Sequence, residues 1–291
     1  IVKLGLIGVG LIGGSAAAAW RAAGVTHVTG YDRDPQAAQR GRALGIIDAV
    51  APSAAAAAAD ADVVLLAVPV LSMRGVLQEI AAAVPPQAVI TDVGSTKVAV
   101  IEAARAALSA SGGSSFRRFV PGHPIAGRER PGVEHADARL FAGKLVITTP
   151  LAETDADAHA LIESLWSRAG ARVAQMDAAE HDRIFAAVSH LPHLLAFALV
   201  AAIAGDSDGA RKLGYAGAGF RDFTRIAASS PVMWRDVCLA NREAVGDELR
   251  RYRALLAELQ QAVDEGDAET LERTFAVAAQ ARRAQTTLDA E

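Results

Sequence analysis

The fold is decided at Gly8-Val9-Gly10-Leu11-Ile12-Gly13, a stretch that follows the apolar run 2–7 and opens an alanine-rich run. In this spacing the first glycine permits a tight turn off a strand, the second lets a pyrophosphate approach the backbone, and the third lets a helix pack closely on the sheet. Asp32 ends a second apolar run nineteen residues after Gly13, where an acid can accept hydrogen bonds from ribose hydroxyls. The stretch therefore predicts a Rossmann-type dinucleotide site.

Asp32 also predicts which dinucleotide binds. The Asp32 carboxylate would repel the 2′-phosphate of NADP, so we expect NAD, although the adjacent Arg33 could accommodate that phosphate. Val68 and Pro69 follow a third apolar run and should lie at the same edge of the sheet. The predicted cofactor contacts are Gly8, Gly10, Leu11, Ile12, Gly13, Asp32, Arg33, Val68 and Pro69.

Apolar runs bounded by turn residues alternate with helical patterns up to residue 176. This alternation is typical of an α/β fold with a doubly wound, parallel-dominated sheet and crossover helices. The strands are expected at 3–7, 28–31, 63–67, 89–92, 119–120, 145–148 and 172–175.

Only helical periodicity continues after Asp177, which is suited to cap a helix. The longest predicted helix covers 232–264, and another follows over 267–286. We therefore expect a dinucleotide-binding Rossmann domain over 1–176 and an all-helical substrate-binding and dimerisation domain over 177–291. Long helices with alanine- and leucine-rich faces and no sheet to cover them predict a homodimer.

Composition narrows the classes of function. The net charge is −4 with interspersed signs, which gives no basic stripe for nucleic acid. The longest uninterrupted apolar stretch has eleven residues, too few to span a bilayer, so no membrane segment is expected. Cys238 is the one cysteine, which excludes an internal disulfide and suits the cytoplasm.

The carboxyl ends of the predicted strands hold the candidate catalytic residues, because ligands of open parallel sheets bind there. His123 lies between a glycine and a proline after the fifth strand, where it either stabilises the loop or removes a proton from a substrate hydroxyl while hydride leaves the same carbon. Ser95 follows the fourth strand, where it either orients that hydroxyl or His123, or caps a helix that begins near Thr96.

Two further groups lie in the helical half. His190 and His193 flank Pro192; no cysteine or HExxH motif accompanies them, so we expect no metal, and buried structural imidazoles or substrate contacts both remain open. Arg225 follows a glycine-rich segment, and its guanidinium suits a carboxylate ligand. The neighbouring Arg221 and Asp222 are more typical of a pair that pins the loop.

Together the motifs resemble the prephenate/arogenate (cyclohexadienyl) dehydrogenase family of tyrosine biosynthesis over nearly the whole chain. The resemblance implies oxidative decarboxylation: hydride moves from the ring carbon that bears the 4-hydroxyl to NAD⁺, the ring carboxylate leaves as CO2, and the ring becomes aromatic. The motifs that carry it are Gly8-Val-Gly-Leu-Ile-Gly-Gly-Ser15, Thr91-Asp-Val-Gly-Ser-Thr-Lys97, Gly122-His-Pro-Ile-Ala-Gly127, Ser189-His-Leu-Pro-His193 and Gly219-Phe-Arg-Asp-Phe-Thr-Arg225.

The resemblance also implies roles for individual residues. His123 would deprotonate the 4-hydroxyl with Ser95 beside it, and Arg225 would meet the ring carboxylate. Asp182 would help to hold the hydrogen-bond network of the helical domain. The other implied pocket residues are His190, His193, Glu129 as a gate, and Trp234, from the same subunit or its partner.

Two alternatives come from other classes of protein. A β-hydroxyacid dehydrogenase shares the two-domain layout but relies on a lysine early in its second domain, and Lys212 is the one lysine after Lys144 here. A regulator that senses NAD without chemistry would have no use for His123 and Arg225 in one crevice. The sequence does not decide between prephenate and arogenate, and any inhibition by tyrosine is expected at the active site.

Overall fold

The computed structural model describes residues 2–109, 114–128 and 130–288. Contacts divide the chain into two compact units, Ile1–Arg242 and Glu243–Glu291. The first unit contains all nine strands of the described residues, and the second is helical.

Six strands form a parallel sheet in the order β3-β2-β1-β4-β5-β6. β4 is buried at all four positions, as expected for a strand covered on both faces. The predicted runs are found with small shifts at their ends, and the two-residue β3 was not predicted. The strands are β1 (Val2–Ile7), β2 (Val25–Tyr31), β3 (Ala49–Val50), β4 (Val63–Leu66), β5 (Val89–Asp92) and β6 (Phe119–Val120).

Three strands form a second, smaller sheet, β7 (Gly122–Pro124), β8 (Leu145–Thr148) and β9 (Arg172–Gln175). β7 is antiparallel to β8, with His123 opposite Ile147, whereas β8 and β9 are parallel. The prediction that His123 lies in a loop is therefore wrong. A strand of three residues shows no alternation in sequence, and its pairing depends on a partner more than twenty residues away.

Helices cover the sheets. Those of the α/β part are α1 (Leu11–Ala22), α2 (Pro35–Ala43), α3 (Ala54–Ala58), α4 (Met73–Ile80), α5 (Val98–Leu108), α6 (Ser114–Arg117) and α7 (Ala156–Arg168). The core lies on both faces of the large sheet, because successive residues of β4 alternate between two apolar clusters. In the first cluster, Trp20 of α1 packs edge-on against Trp166 of α7, with ring centroids 4.9 Å apart.

Within the described residues no strand follows β9. Asp177 caps the next helix as predicted, because its carboxylate accepts the N–H groups of Ala179 and Glu180 at 2.9 and 3.0 Å. The helices are α8 (Ala178–Phe185), α9 (Leu191–Ala204), α10 (Gly209–Gly214), α11 (Ala218–Thr224), α12 (Pro231–Ala240), α13 (Arg242–Glu265) and α14 (Ala268–Leu288).

The predicted helix over 232–264 is interrupted. α12 ends at Ala240, Asn241 adopts φ −113° and ψ 35°, and α13 begins at Arg242. Helical periodicity continues across this break, so the sequence hides it. The Asn241 side chain donates to a residue far from the break, the carbonyl oxygen of Asp182.

One helical stretch, Ala178–Ala204, is long and apolar enough to cross a membrane by length and composition alone. A π-helical turn, Ala186–His190, joins α8 and α9 within it. Its Asp182 is buried and accepts hydrogen bonds from the backbone of residues 97 and 98. These contacts hold α8, the first helix of the stretch, against the start of α5.

Candidate active site

The glycine turn after β1 has the geometry of a phosphate cradle. Gly8 has φ +100°, and a Cβ added there would lie 2.3 Å from the carbonyl oxygen of Ala67. A Cβ on Gly13 would lie 2.2 Å from the carbonyl oxygen of Gly8, so only glycine lets α1 approach the turn this closely. A Cβ on Gly10 meets no atom within 4 Å, and Gly10 has no side chain to cap α1. The helix N-terminus therefore faces open space with N–H groups that suit a pyrophosphate.

Asp32 follows β2 and is held beside this turn. Its Oδ2 accepts the N–H of Val9 at 2.8 Å, and its Oδ1 accepts the N–H of Asp34 at 2.8 Å. A carboxylate oxygen can accept more than one hydrogen bond, so the group can also receive ribose hydroxyls. Arg33 is exposed next to it.

Val68 and Pro69 lie after β4, as predicted for strand-end residues. Val68 reaches the glycine turn, since its Cγ1 lies 3.2 Å from the position of an added Cβ on Gly8. Leu11 is buried at the start of α1, and the half-buried Ile12 packs against the core. The residues present fit a bound dinucleotide.

A chain of three buried side chains begins at His123. Its Nδ1 lies 2.9 Å from Nε2 of His181, and the Nδ1 of His181 lies 2.8 Å from Oδ1 of Asp182. Asp182 is held in turn by the first turn of α5: its Oδ1 accepts the N–H of Lys97 at 2.7 Å and its Oδ2 accepts that of Val98 at 3.0 Å. Two imidazoles and a carboxylate thus connect β7, α8 and α5.

These contacts fix which nitrogen of His123 carries the proton. A carboxylate only accepts, so His181 donates from Nδ1, and the Nε2 of a neutral His181 then accepts. His123 must donate from Nδ1 to that atom. The Nε2 of neutral His123 is left without a proton and can act as a base.

Burial disfavours the charged form of both imidazoles. Burial is the main cause that holds the pKa of His123 well below its usual value of 6.5, and the charges of His181, Lys97 and His190 lower it further. Burial also lowers the pKa of His181, against the opposing hydrogen bond to Asp182. Both directions favour the neutral His123 ring with its proton on Nδ1 that the hydrogen bonds require.

His190 is buried on the far side of Asp182. The Asn241 amide donates to the carbonyl oxygen of Asp182 at 2.7 Å and lies 3.2 Å from Nδ1 of His190. His190 therefore carries its proton on Nε2, which has no hydrogen-bond partner within the described part of the chain. Burial lowers the pKa of His190 to about 4, although Asp182 and the Ser95 backbone oppose this shift. The break between α12 and α13 supplies the amide that orients this ring.

His193 stacks on Trp234, with ring centroids 3.5 Å apart and planes inclined by 19°. Both rings belong to the same chain. The Nδ1 of His193 lies 2.9 Å from the carbonyl oxygen of Ser189, so this nitrogen carries the proton.

The other predicted site residues differ in how the structure places them. Ser95 is half-buried, and it does not cap α5, because that helix begins at Val98 and Asp182 accepts its first N–H groups. Arg225 is exposed at the start of a 3-10 segment, Arg225–Ala228, which packs against α9. Glu129 lies outside the described residues.

Three residues of this network carry no candidate role in the sequence interpretation: His181, Asn241 and Lys97. His181 lies next to Asp182, and this adjacent acid and imidazole were the available signal. Lys97 belongs to a quoted motif but shows no distinguishing pattern of its own. Its burial and its contacts with β5 and β7 come only from the tertiary structure.

Two family models match the chain. One describes the nucleotide-binding domain of prephenate dehydrogenase and matches residues 16–175. The other describes the dimerization domain of prephenate dehydrogenase and matches residues 177–277. The chain belongs to the prephenate dehydrogenase family. This membership excludes the β-hydroxyacid dehydrogenase alternative.

Named relatives and solved structures agree with the family. The cyclohexadienyl dehydrogenase of Zymomonas mobilis is 38% identical over 97% of this chain and 95% of its own. The prephenate dehydrogenase of A. aeolicus, solved with hydroxyphenyl propionate and NAD⁺, is 36% identical with a TM-score of 0.87 over 98% of both chains. The arogenate dehydrogenase of Synechocystis is 28% identical with a TM-score of 0.78 over 97% of this chain and 99% of its own.

Proposed function

We propose that this prephenate dehydrogenase family member oxidatively decarboxylates prephenate, arogenate or both, and so serves tyrosine biosynthesis. The products are 4-hydroxyphenylpyruvate or tyrosine, CO2 and NADH. The observation that carries the proposal is the buried hydrogen-bonded chain His123–His181–Asp182, which assigns the proton of His123 to Nδ1 and leaves Nε2 as the base. When bound at the glycine turn, NAD⁺ supplies the hydride acceptor.

His123 acts as the general base of this reaction. Its Nε2 takes the proton of the 4-hydroxyl as hydride leaves the same carbon, and the imidazolium donates from Nδ1 to His181. The electrons of the bond to the departing carboxylate close the aromatic ring. His123 then returns the proton to the ring oxygen, so the reaction needs no other acid and consumes no net proton.

The substrate carries two carboxylates, and three groups of the helical part are proposed to bind it. Arg225 meets the ring carboxylate with its guanidinium. His190 offers a buried Nε2–H to the substrate. His193, stacked on Trp234, lines the side-chain end of the pocket. Ser95 orients the hydroxyl beside His123, and Glu129 is proposed as the gate.

Asp32 supports NAD over NADP, because its carboxylate lies beside the glycine turn through the bond to Val9. We place the functional division of the chain at 176/177, with cofactor binding before it and substrate binding after it.

The helices of the second unit support a homodimer. Apolar side chains are exposed on both α13 and α14, and a partner subunit would cover them. They are Leu255, Leu256, Val263, Phe275 and Val277. We also propose that the enzyme is cytoplasmic and that any inhibition by tyrosine is competitive with the substrate.

A cofactor reduction assay tests the proposal. The purified protein is given prephenate or arogenate, each with NAD⁺ or NADP⁺, and absorbance of the reduced nicotinamide is followed with a parallel measurement of CO2 release. We expect reduction with NAD⁺ and one CO2 per NADH. Reduction without CO2 release, or NAD⁺ binding with no turnover of either substrate, would contradict it.

A further inference from the structure

A fully buried ion pair lies directly behind the strand that carries His123. The Nζ of Lys97 donates to Oδ2 of Asp92 at 2.5 Å and to the carbonyl oxygen of Gly122 at 2.6 Å. Asp92 in turn accepts the N–H of Gly122 on Oδ1 at 3.1 Å. Both side chains have no exposed surface. The two peptide groups on either side of Gly122, one of which joins it to His123, are therefore held by one lysine and one aspartate.

This lysine occupies an unfavourable place. Burial disfavours an ammonium, and Lys97 also precedes the first turn of α5, where the helix dipole favours negative charge. Burial lowers the pKa of Lys97, and Asp92 and Asp182 oppose that shift. A buried ion pair can often be replaced by apolar residues without loss of stability. Stability alone does not explain why a cation stands here.

The charges around His123 show what the cation does. The groups that face the imidazole are His181 from α8 and His190 from the π-helical turn, with Lys97 behind β7 and the acids Asp92 and Asp182 bonded to it. Lys97 is the ammonium among the groups whose charges lower the pKa of His123. It compensates the Asp92 carboxylate, which alone would favour the imidazolium.

We propose that the Lys97–Asp92 pair is a positioning device that clamps the Gly122 peptide groups and aims His123 at the substrate, with the Lys97 ammonium compensating the charge of the buried Asp92 carboxylate. This inference rests on the proposed function of His123 as the general base. It adds that two residues without contact to substrate set the aim of that base, and that Lys97 shields the base from the charge of Asp92.

The position of His123 and its titration midpoint can be separated by removing the two charges of the pair one at a time. Lys97→Met removes the charge and the donor to Gly122 while keeping the length of the side chain. The buried Asp92 carboxylate is then uncompensated and favours the imidazolium. We expect the titration midpoint of His123 to rise by roughly one pH unit or more. We also expect kcat to fall about 10- to 100-fold with KM little changed, the loss that a misplaced catalytic group causes.

The double variant Asp92→Asn/Lys97→Met removes both charges and leaves the clamp broken. Its midpoint should return toward that of the wild type, whereas kcat should stay low. Lys144→Met is the matched control, because Lys144 is exposed and the same chemical change there should alter neither quantity. A pair that only stabilises the fold would lower the melting temperature of the variants without moving the midpoint.

The midpoint is measured by NMR titration of the His123 ring in the unliganded proteins, so the result does not depend on turnover. Should His123 prove not to be the base, kinetics fail while this titration still reports on the clamp. The Nζ of Lys97 in the wild-type protein supplies a reading that needs no variant: we expect a slowly exchanging ammonium at pH 7. An amine at pH 7, or an unchanged midpoint together with wild-type kcat in the double variant, would overturn the proposal.

Discussion

The glycine turn that is proposed to bind the cofactor and the His123 network are built from different parts of the chain. The turn uses backbone. A Cβ added to Gly8 or Gly13 would lie 2.3 or 2.2 Å from a carbonyl oxygen, so both positions require glycine, and Gly10 faces open space. The network uses side chains from β7, α8 and α5, with His123 and Asp182 connected through His181. Backbone binding tolerates many neighbours, whereas the base works only if each member of a buried chain carries its proton on the right atom.

The largest effect that separates the two regions is expected from His123→Asn. Loss of the base should lower kcat roughly 10²- to 10⁴-fold with KM nearly unchanged, because the residue acts in the transition state. NAD⁺ binding, followed by quenching of tryptophan fluorescence, should be preserved because the turn is intact. A raised KM with normal kcat would show that His123 binds the substrate and does not act on it.

His181→Asn is expected to have the next largest effect. It removes the acceptor of His123 Nδ1, so both tautomers of the base become accessible and its aim loosens; a fall in kcat of about 10²-fold is the expected order. His159→Asn serves as the control, since His159 pairs with Thr148 in the small sheet and does not contact His123. Equal kinetics for His181→Asn and the wild type would remove His181 from the mechanism.

Arg225→Ala tests the proposed contact between the helical part of the chain and the substrate. A hydrogen-bonded pair of charges is worth about 1.5–3 kcal/mol, so KM should rise about 10- to 100-fold while kcat changes little. The matched control is Arg221→Ala, because Arg221 of α11 donates to the carbonyl oxygen of Ala216, just before that helix. A variant that saturates at wild-type substrate concentrations would take Arg225 out of the pocket.

Asp32→Ala tests the glycine turn and its cofactor preference, and it should have the smallest effect. The variant loses the ribose acceptor and the repulsion of a 2′-phosphate, so the preference for NAD⁺ over NADP⁺ should fall about tenfold, the order of one hydrogen bond to a charged group. The ratio of kcat/KM for the two cofactors measures it. An unchanged ratio would assign the selectivity to another residue.

The two regions also differ in how far the sequence predicts them. The turn is contiguous, so the spacing of Gly8, Gly10 and Gly13 predicts its geometry together with the strand before it and the helix after it. Strands such as β4 and β5 were predicted because burial on both faces makes them apolar runs. His123 was identified for its place after a strand, but its own three-residue strand was not, since the pairing with Ile147 is long-range.

The His123 network could not be predicted from the sequence, because its contacts are also long-range. His123 and His181 are 58 residues apart, and Asn241 lies 59 residues from Asp182. Asn241 interrupts a helix whose apolar periodicity continues unbroken, so the break leaves no signal in the sequence. Ser95 was considered as a cap, but a carboxylate from α8 takes that place. Contacts of this kind follow from packing and not from local preference.

The central claim is that neutral His123 presents an unprotonated Nε2, and its ¹⁵N-detected NMR titration tests this most directly. Because burial and nearby positive groups lower the pKa of His123, the ring should stay neutral as the pH falls through 6.5. Activity should be lost only below that, as the base becomes protonated, and kcat should decline at a higher pH than kcat/KM because bound carboxylates favour the imidazolium. We expect the proton on Nδ1 and a bare Nε2 at pH 7. A proton on Nε2, or an imidazolium at pH 7, would contradict the account.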